Sequence, residues 1–325
     1  MNFNKCPLYS LKSKKTLMVL LGFKNKNFLK QDYIVRQVFP RIDNLPKGRL
    51  IESPSRELKR IQTKIKSFLN CLDFPQIVFS GVKKRSYVDN AKMHVGTSTR
   101  RLYKIDLTAF FPTISRNTVY DFFIKEMNCS PDVASILTNL TTIDLKQCTE
   151  TNLQPIYEFL NKKGVACYNH LISGSPCSQV LSYLVNGPMF NELEDYAKSN
   201  NATMTIYVDD VTFSSENRIS NVFKEKIISI TQKYGYKISE KKVKYYTKAY
   251  PKLITGVIIG KDGKPTLRNS MRHNILLEFK HLQLNPEDEQ CRKRLRGLLT
   301  AARQINKNAF PTIYKFAFSS KTKNK

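Results

Sequence analysis

The sequence predicts an α+β fold that is followed by a small helical region. Residues 102–107 and 203–215 alternate like β-strands, and residues 56–69 and 219–234 carry apolar side chains at helical spacing. Beyond residue 263 the pattern is helical only. A mixed segment that is followed by helices alone is typical of an α+β body with a helical subdomain.

Two helices are predicted near the N-terminus. Residues 16–23 (TLMVLLGF) are apolar but too short to cross a bilayer, which indicates a buried helix. Residues 56–69 place apolar side chains on one helical face, with basic side chains between them. The apolar positions are Leu58, Ile61, Ile65 and Leu69. This second helix should therefore border a basic surface.

The middle of the chain alternates strands and helices. Residues 102–107 (LYKIDL) predict a short strand. Ser130 followed by Pro131 predicts a helix start, because Ser caps a helix and Pro fits its first turn. Residues 219–234 carry one apolar stripe before Gly235, a residue type that commonly ends helices.

The C-terminal third begins with a second predicted pair of strands. It covers residues 253–259 and should turn at residues 261–263 (Lys-Asp-Gly). Two helices are then expected at residues 271–284 and 287–305. The basic end, residues 319–325, has the composition of a disordered tail.

The composition is strongly basic. The chain has 54 Lys and Arg against 26 Asp and Glu, a formal net charge of +28. A folded protein tolerates this self-repulsion best beside a polyanion, so nucleic acid is the expected partner; solubility alone is the alternative explanation. Seven scattered cysteines without a Cys-x-x-Cys pair favour reduced thiols in a cytoplasm over a zinc site, and no membrane segment is expected.

An acidic pair lies in the middle of residues 203–215. β-Favouring residues flank Asp209 and Asp210, so the two carboxylates should occupy the tip of a tight hairpin. Adjacent like charges are tolerated at an exposed tip or beside a divalent cation. The pattern leaves two hypotheses open, a metal-binding hairpin and an Asp-Asp turn without a metal.

Asp106 supplies a third carboxylate. It lies near the end of the predicted strand 102–107 and precedes an aromatic pair, Phe110 and Phe111. Phosphoryl transfer with two Mg²⁺ ions needs hard oxygen ligands that bridge the metals. Asp106 and the acidic pair would supply these ligands if tertiary structure brings the two strands together.

With these motifs the chain resembles a reverse transcriptase. The general polymerase signature begins at the strand of Asp106 with the sequence FFPTIS, at residues 110–115. It continues at residues 173–178 (SGSPCS), residues 207–210 (YVDD) and residues 235–243 (GYKISEKKV). The four elements stand in the family's order, which chance would not arrange.

The resemblance narrows to the bacterial retron type. Residues 90–94 (NAKMH) match the Asn-Ala-x-x-His element of retron enzymes, and residues 254–256 (ITG) resemble their Val-Thr-Gly. Residues 54–59 (PSRELK) are similar to their finger segment. The chain departs from the family at Val208, where Ala is usual, and at residues 172–173 (IS), where Pro-Gln is usual.

The family resemblance implies a right-hand polymerase. Residues 1–100 would form N-terminal helices and fingers, and residues 101–262 the palm with an antiparallel sheet. Residues 142–170 would be an extra segment of the palm, and residues 263–325 a small helical thumb with a basic tail. The three acids would be catalytic and would bind two Mg²⁺ ions with the dNTP substrate: Asp106, Asp209 and Asp210.

Five further positions match the family's nucleotide-binding residues. Phe111 would pack under the sugar and exclude a 2′-hydroxyl. Lys47, Arg49 and Lys242 would lie near the triphosphate, and Gly174 would permit close backbone approach. The residue types alone also allow a core aromatic, solvated surface charges and an ordinary turn.

The resemblance also implies elements particular to retron enzymes. Asn90, His94, Thr255 and Gly256 would be structural or RNA-contacting, with His94 as a structural histidine. Basic side chains of the C-terminal helices would grip RNA. The expected contacts are Lys280, Arg292, Arg294 and Arg296.

The function implied by the resemblance is RNA-directed DNA synthesis in the bacterial cytoplasm. The enzyme would copy part of its own structured non-coding RNA into a short DNA, primed from an RNA 2′-hydroxyl, giving branched RNA–DNA (msDNA). A separately encoded effector protein would complete an anti-phage system. The alternatives are another defence-associated or group II intron-like reverse transcriptase, and a non-catalytic RNA-binding scaffold with a polymerase fold.

Overall fold

The computed structural model describes residues 1–43, 48–96, 100–148 and 152–319. Its helices are α1 (Lys14–Leu21), α2 (Gln31–Val35), α3 (Arg56–Leu69), α4 (Tyr87–Lys92), α5 (Phe110–Thr113), α6 (Arg116–Asp121), α7 (Pro131–Thr141), α8 (Gln154–Lys162), α9 (Ser178–Val185), α10 (Gly187–Ser199), α11 (Asn221–Lys233), α12 (Asn269–Leu284), α13 (Glu289–Ile305) and α14 (Pro311–Phe318). Its strands are β1 (Val38–Ile42), β2 (Leu50–Pro54), β3 (Arg101–Asp106), β4 (Thr142–Asp144), β5 (Asn169–Leu171), β6 (Thr203–Tyr207), β7 (Asp210–Ser215), β8 (Lys244–Tyr246), β9 (Lys252–Ile254), β10 (Val257–Ile259) and β11 (Pro265–Thr266). The mixed fold of helices and antiparallel sheets is confirmed.

A four-stranded antiparallel sheet lies at the centre, in the order β6-β7-β3-β8. Tyr103 of β3 and Phe213 of β7 are buried on it and stack, with ring centroids 6.2 Å apart. The register between β3 and β7 places Asp106 opposite Asp210. The predicted strand and hairpin are therefore neighbours, and their acids meet at one end of the sheet.

The main hydrophobic core packs the central sheet against helices from earlier and later parts of the chain, which include α3, α7 and α11. Helix α3 covers the predicted residues, and its predicted apolar stripe is buried. Ser130 caps α7 by accepting a hydrogen bond from the Val133 N–H, with Pro131 in the first turn. Helix α11 begins after the cap Ser220, and Gly235 follows it with a φ of 81°. These three helix predictions are confirmed.

A second core holds the C-terminal helices. Helices α12, α13 and α14 pack together with α4 and with the strands β9 and β10, burying Ile275, Leu295 and Leu299. Smaller antiparallel pairs complete the sheets of the described residues: β1 with β2, β4 with β5, and β10 with β9 and β11. In the described part of the chain, no helix combines the length and apolar character that a membrane crossing requires.

The strand pair predicted at residues 253–259 is present, but the position predicted for its turn is wrong. The chain reverses within this segment, between β9 and β10, at Thr255 and Gly256, whose φ angles are 43° and 90°. The turn expected at residues 261–263 instead joins β10 to β11. The positive φ of Thr255 is unusual for a β-branched residue, and the Thr255 hydroxyl donates a hydrogen bond to the Tyr87 carbonyl across the fold. That long-range contact is invisible to a local pattern.

Two helical predictions need correction. Helix α14 follows α13 and was not predicted, because its eight residues are too short for a clear period; Pro311 in its first turn was the available signal. Near the N-terminus α1 is a helix as expected, but only Leu17 and Leu21 are buried and Val19 is 73% exposed. The helix is therefore half-buried instead of buried.

Candidate active site

Three carboxylates meet where the central sheet ends. Asp106 is the last residue of β3, Asp210 is the first residue of β7, and Asp209 lies in the two-residue loop between β6 and β7. The Leu107 N–H donates a 2.9 Å hydrogen bond to the Asp209 carbonyl. The hairpin loop is thereby fixed against the end of β3.

The hairpin loop is strained at Val208. Its φ is 61°, a region that suits glycine and that β-branched residues rarely occupy. Tyr207 and Asp210 pair directly across the loop, and a two-residue hairpin of this kind needs a positive φ at its first position. Such a conformation costs on the order of 1–3 kcal/mol and persists where the surrounding structure imposes it.

Two lysines pair with two of the three acids. The Lys242 ammonium donates to both oxygens of Asp106, at 2.8 and 2.9 Å, and the Lys104 ammonium pairs with Asp210. Lys242 reaches the site because the Ser239 N–H donates to the Asp106 carbonyl, at 2.9 Å. The sequence motifs indicated Lys242 but missed Lys104. Residues two apart on a strand project from the same face, so the sequence places Lys104 on the face of Asp106, but its partner Asp210 belongs to another strand.

The three acids are largely buried and repel one another. Burial, then the charge of Asp106, raises the pKa of Asp209 to about 6. Burial also raises the pKa of Asp210, partly offset by Lys104. The side chains of Asp106 and Asp210 are only 15% and 17% exposed. A cluster of buried carboxylates that attracts ammonium groups fits a divalent cation bound by hard oxygen ligands.

We expect Mg²⁺ binding to weaken as the pH falls through 6. A proton on Asp209 competes with the cation, and with a pKa of about 6 this carboxylate is mostly protonated at pH 5.5. The Mg²⁺ dissociation constant should then rise by at least about fourfold between pH 7.5 and pH 5.5. Isothermal titration at the two pH values measures this change. Equal affinities at both would contradict the assignment of Asp209 as a ligand.

An aromatic shelf follows the first acid. Phe110 is buried against Tyr236, with ring centroids 5.4 Å apart, and against Phe190 at 6.3 Å. Phe111 is only partly buried, and its ring centroid lies 5.9 Å from that of Phe110. Phe110 is therefore the core aromatic. The ring of Phe111 is partly accessible and could contact a ligand.

The predicted nucleotide-binding loop touches strand β2. Gly174 lies so close to the Glu52 carbonyl that a Cβ at position 174 would collide with this oxygen. Gly174 thus allows a close approach of protein backbone; its contact with a nucleotide stays a prediction. Arg49 is exposed beside β2. Lys47 lies outside the described residues.

The retron-type elements meet inside the protein. The Asn90 amide donates to the Thr255 hydroxyl at 3.2 Å, and Thr255 in turn donates to the Tyr87 carbonyl at 2.8 Å. The two ring nitrogens of His94 bond the hydroxyls of Ser214 and Thr205, both at 2.8 Å. These contacts fix Asn90, His94 and Thr255 within the protein; a contact of these residues with RNA stays a prediction.

We expect His94 to make the protein acid-sensitive. Burial, then the charge of Arg100, lowers the pKa of His94 to about 3, so the folded state holds it neutral. An unfolded histidine titrates near 6.5, hence the unfolded state takes up the proton first as the pH falls below that value. The free energy of unfolding should then drop by up to about 1.4 kcal/mol per pH unit below 6.5.

Urea unfolding at pH 7.0 and pH 5.5 measures this slope. His94→Gln, which cannot become charged, should lose less stability over the same interval than the parent protein. The exposed His273 provides the matched control, His273→Gln, which should keep the parent's slope. An unchanged slope in His94→Gln would show that other groups cause the acid sensitivity.

The four basic residues expected to contact RNA have different surroundings. Lys280 is exposed, and Arg294 pairs with Glu278 at 3.0 Å while half its side chain stays accessible. Arg292 is buried, and its guanidinium donates to the Pro286 carbonyl. Arg296 donates to the Ala317 carbonyl and so holds α14. Burial therefore removes Arg292 from the expected RNA surface, because its fixed position in α13 turns its side chain inward.

A second cluster of metal-binding residue types lies at the start of α13. Donor atoms of His281, Asp288 and Cys291 lie within 4.8 Å of one another. Structural contacts account for two of these residues: Asp288 caps the helix by accepting the Cys291 N–H, and the Cys291 thiol donates to the Glu278 carboxylate at 3.0 Å. We assign this group to the packing of α12 against α13.

Comparison with known proteins agrees with the geometry. Residues 41–266, which include all three acids, match the family model for reverse transcriptase (RNA-dependent DNA polymerase). The chain is 30% identical over 291 residues to the Retron Se72 reverse transcriptase of Salmonella heidelberg, covering 84% of this chain and 67% of that protein.

Two relatives from Escherichia coli are also similar to the chain. Identity to the Retron Ec86 reverse transcriptase is 26% over 218 residues, which cover 66% of this chain and 59% of that protein. Identity to the Retron Ec83 reverse transcriptase is 27% over 265 residues, which cover 79% of this chain and 78% of that protein. The chain thus spans between about three fifths and four fifths of these relatives.

Proposed function

Since this chain belongs to the reverse transcriptase family of RNA-directed DNA polymerases, and to its bacterial retron type, we propose that it copies part of its own structured non-coding RNA into a short DNA. The observation that carries the proposal is the convergence of Asp106, Asp209 and Asp210 at one end of the central sheet. Polymerisation needs such a cluster of acids, whereas an RNA-binding scaffold would bear the cost of their repulsion without using them.

The fold divides as a right-hand polymerase under this proposal. The hairpin of β1 and β2 with α3 belongs to the fingers, within residues 1–100. The four-stranded sheet is the palm, within residues 101–262, and α12, α13 and α14 are the thumb, within residues 263–325. The segment 142–170, which contains β4 and α8, is an addition to the palm.

The three acids would hold two Mg²⁺ ions, which would supply activation of the attacking hydroxyl and stabilisation of charge on the leaving group. Lys242 pairs with Asp106 and Lys104 with Asp210; with cations on these carboxylates, Lys242 would be free to face the triphosphate together with Arg49. In the priming step an RNA 2′-oxygen forms a bond to the α-phosphorus of a dNTP. The bond between the α-phosphorus and the bridging oxygen breaks, pyrophosphate leaves, and the 2′-hydroxyl loses its proton.

The surface charge supports RNA as the partner. The net charge of +28 favours binding to a polyanion. Exposed basic side chains lie along the C-terminal region, at Lys264, Arg268, Lys280 and Lys293. The proposed product is branched RNA–DNA, and the proposed biological role is phage defence with a separately encoded effector protein.

The nucleic acid that co-purifies with the protein from its native host tests the proposal. After RNase treatment we expect a short DNA that retains a ribonucleotide through a 2′ linkage, which a debranching enzyme cleaves. DNA without that linkage would favour an intron-like or other defence-associated reverse transcriptase. RNA alone, with no dNTP incorporation in Mg²⁺, would favour the scaffold and overturn the proposal.

A further inference from the structure

A buried ion pair connects two segments that surround the candidate nucleotide site. The side chains of Glu52 on β2 and His170 on β5 are both fully buried, and the Glu52 Oε1 lies 2.7 Å from the His170 Nε2. The second carboxylate oxygen accepts a 2.8 Å hydrogen bond from the Ser173 N–H. One carboxylate therefore holds both β5 and the first residue of the loop 173–178.

The Ser173 hydroxyl and Gly174 also join the two segments. The Glu52 N–H donates to the Ser173 hydroxyl at 3.2 Å, and this hydroxyl donates to the Leu50 carbonyl at 3.3 Å. Gly174 abuts the Glu52 carbonyl with no space for a side chain. Leu50 directly follows Arg49, so the contact begins one residue from the predicted triphosphate contact.

The surroundings of His170 indicate that the pair is charged. Its Nε2 faces a carboxylate oxygen and its Nδ1 lies 3.3 Å from the Cys167 carbonyl, so both nitrogens face acceptors. Burial alone would lower the pKa of His170, but the charge and hydrogen bond of Glu52, with a smaller contribution from Asp144 on β4, raise it above its ordinary value. A buried imidazolium of this kind is stable only while its carboxylate partner remains.

We propose that Glu52 and His170 are positioning residues for the incoming nucleotide, an inference that rests on the proposed function. The pair locks the hairpin that carries Arg49 onto the loop that carries Ser173 and Gly174, so that both face the triphosphate in one fixed geometry. Neither side chain touches the reacting atoms. Loss of the pair should therefore weaken nucleotide binding more than it slows chemistry at the three acids.

Four variants test this assignment through their steady-state constants for dNTP incorporation. Glu52→Ala should raise KM for dNTP by roughly tenfold, with kcat within about threefold of the parent. Glu52→Gln should recover most of the loss, because its amide can accept from the Ser173 N–H and donate to a neutral His170. Ser173→Ala keeps the ion pair and should raise KM by roughly threefold. The exposed Glu225 on α11 gives the matched control, Glu225→Gln, with parental constants.

Thermal unfolding and RNA affinity are measured on the same preparations, so that misfolding is recognised. A folded Glu52→Ala with parental KM would overturn the inference, as would equal losses of kcat in Glu52→Ala and Glu52→Gln. If Glu52→Ala does not fold, Glu52→Gln, which removes the charge of the pair, decides together with Ser173→Ala, and a parental KM in both would likewise overturn the inference. Absence of incorporation by the parent protein is a different result, because it would overturn the proposed function itself.

Discussion

Replacing Asp209 with Asn should reduce DNA synthesis by roughly a thousandfold or more while RNA binding persists. The substitution keeps the size of the side chain but removes a negative charge from the proposed metal-binding cluster, where each charge is expected to stabilise the transition state by several kcal/mol. RNA binding depends on the basic surface, which the substitution leaves unchanged. Incorporation of labelled dNTP and filter binding of RNA measure the two properties separately.

The control for this variant is Asp195→Asn on the exposed side of α10, which should retain parental synthesis. Asp209→Asn should also be at least as stable as the parent, because it relieves the repulsion from Asp106 that contributes to the raised pKa of Asp209. Unchanged synthesis in Asp209→Asn would contradict the catalytic role of the cluster and favour an RNA-binding scaffold.

Replacing Phe111 with Ala should admit ribonucleotides. Phe111 follows Asp106 by five residues and is only partly buried, whereas the neighbouring Phe110 fills the core. If the Phe111 ring packs under the sugar, its removal opens space for a 2′-hydroxyl, and discrimination against rNTP should fall by roughly a hundredfold, about 3 kcal/mol. The ratio of kcat/KM for dGTP and rGTP measures this selectivity.

Two further variants separate the role of Phe111 from a packing role. Phe111→Leu should give an intermediate ratio, since Leu fills part of the space. Phe110→Leu should lower the unfolding temperature, because Phe110 packs against Phe190 and Tyr236, with little change in sugar selectivity. If Phe111→Ala leaves the ratio of the two nucleotides at the parental value, Phe111 does not contact the sugar.

The elements with a strong local signal were predictable from sequence. The stripe of α3, the Ser130 cap and the hairpin around Asp209 each depend on neighbours in the chain, and each is present. The motifs suggested that Asp106 meets the hairpin. The register of β3 and β7, which places Asp106 opposite Asp210, shows that it does.

Features that depend on distant contacts were not predictable. Lys104 pairs with Asp210 only because β3 and β7 are adjacent, and Glu52 meets His170 across 118 residues of sequence. The turn at Thr255 is held by the Tyr87 carbonyl, again from a remote helix. Helix α14 is short and gains its stability from packing on α13, which local propensity does not report.

Sequencing of the DNA made by the purified protein tests the central claim most directly. The protein is supplied with a defined RNA template, four dNTPs and Mg²⁺, and the product is sequenced after removal of RNA. We predict DNA complementary to the supplied RNA, absent when Mg²⁺ is chelated and absent with Asp209→Asn. DNA whose sequence is independent of the template, or no DNA from a folded protein that binds the RNA, would contradict RNA-directed synthesis at this cluster of acids.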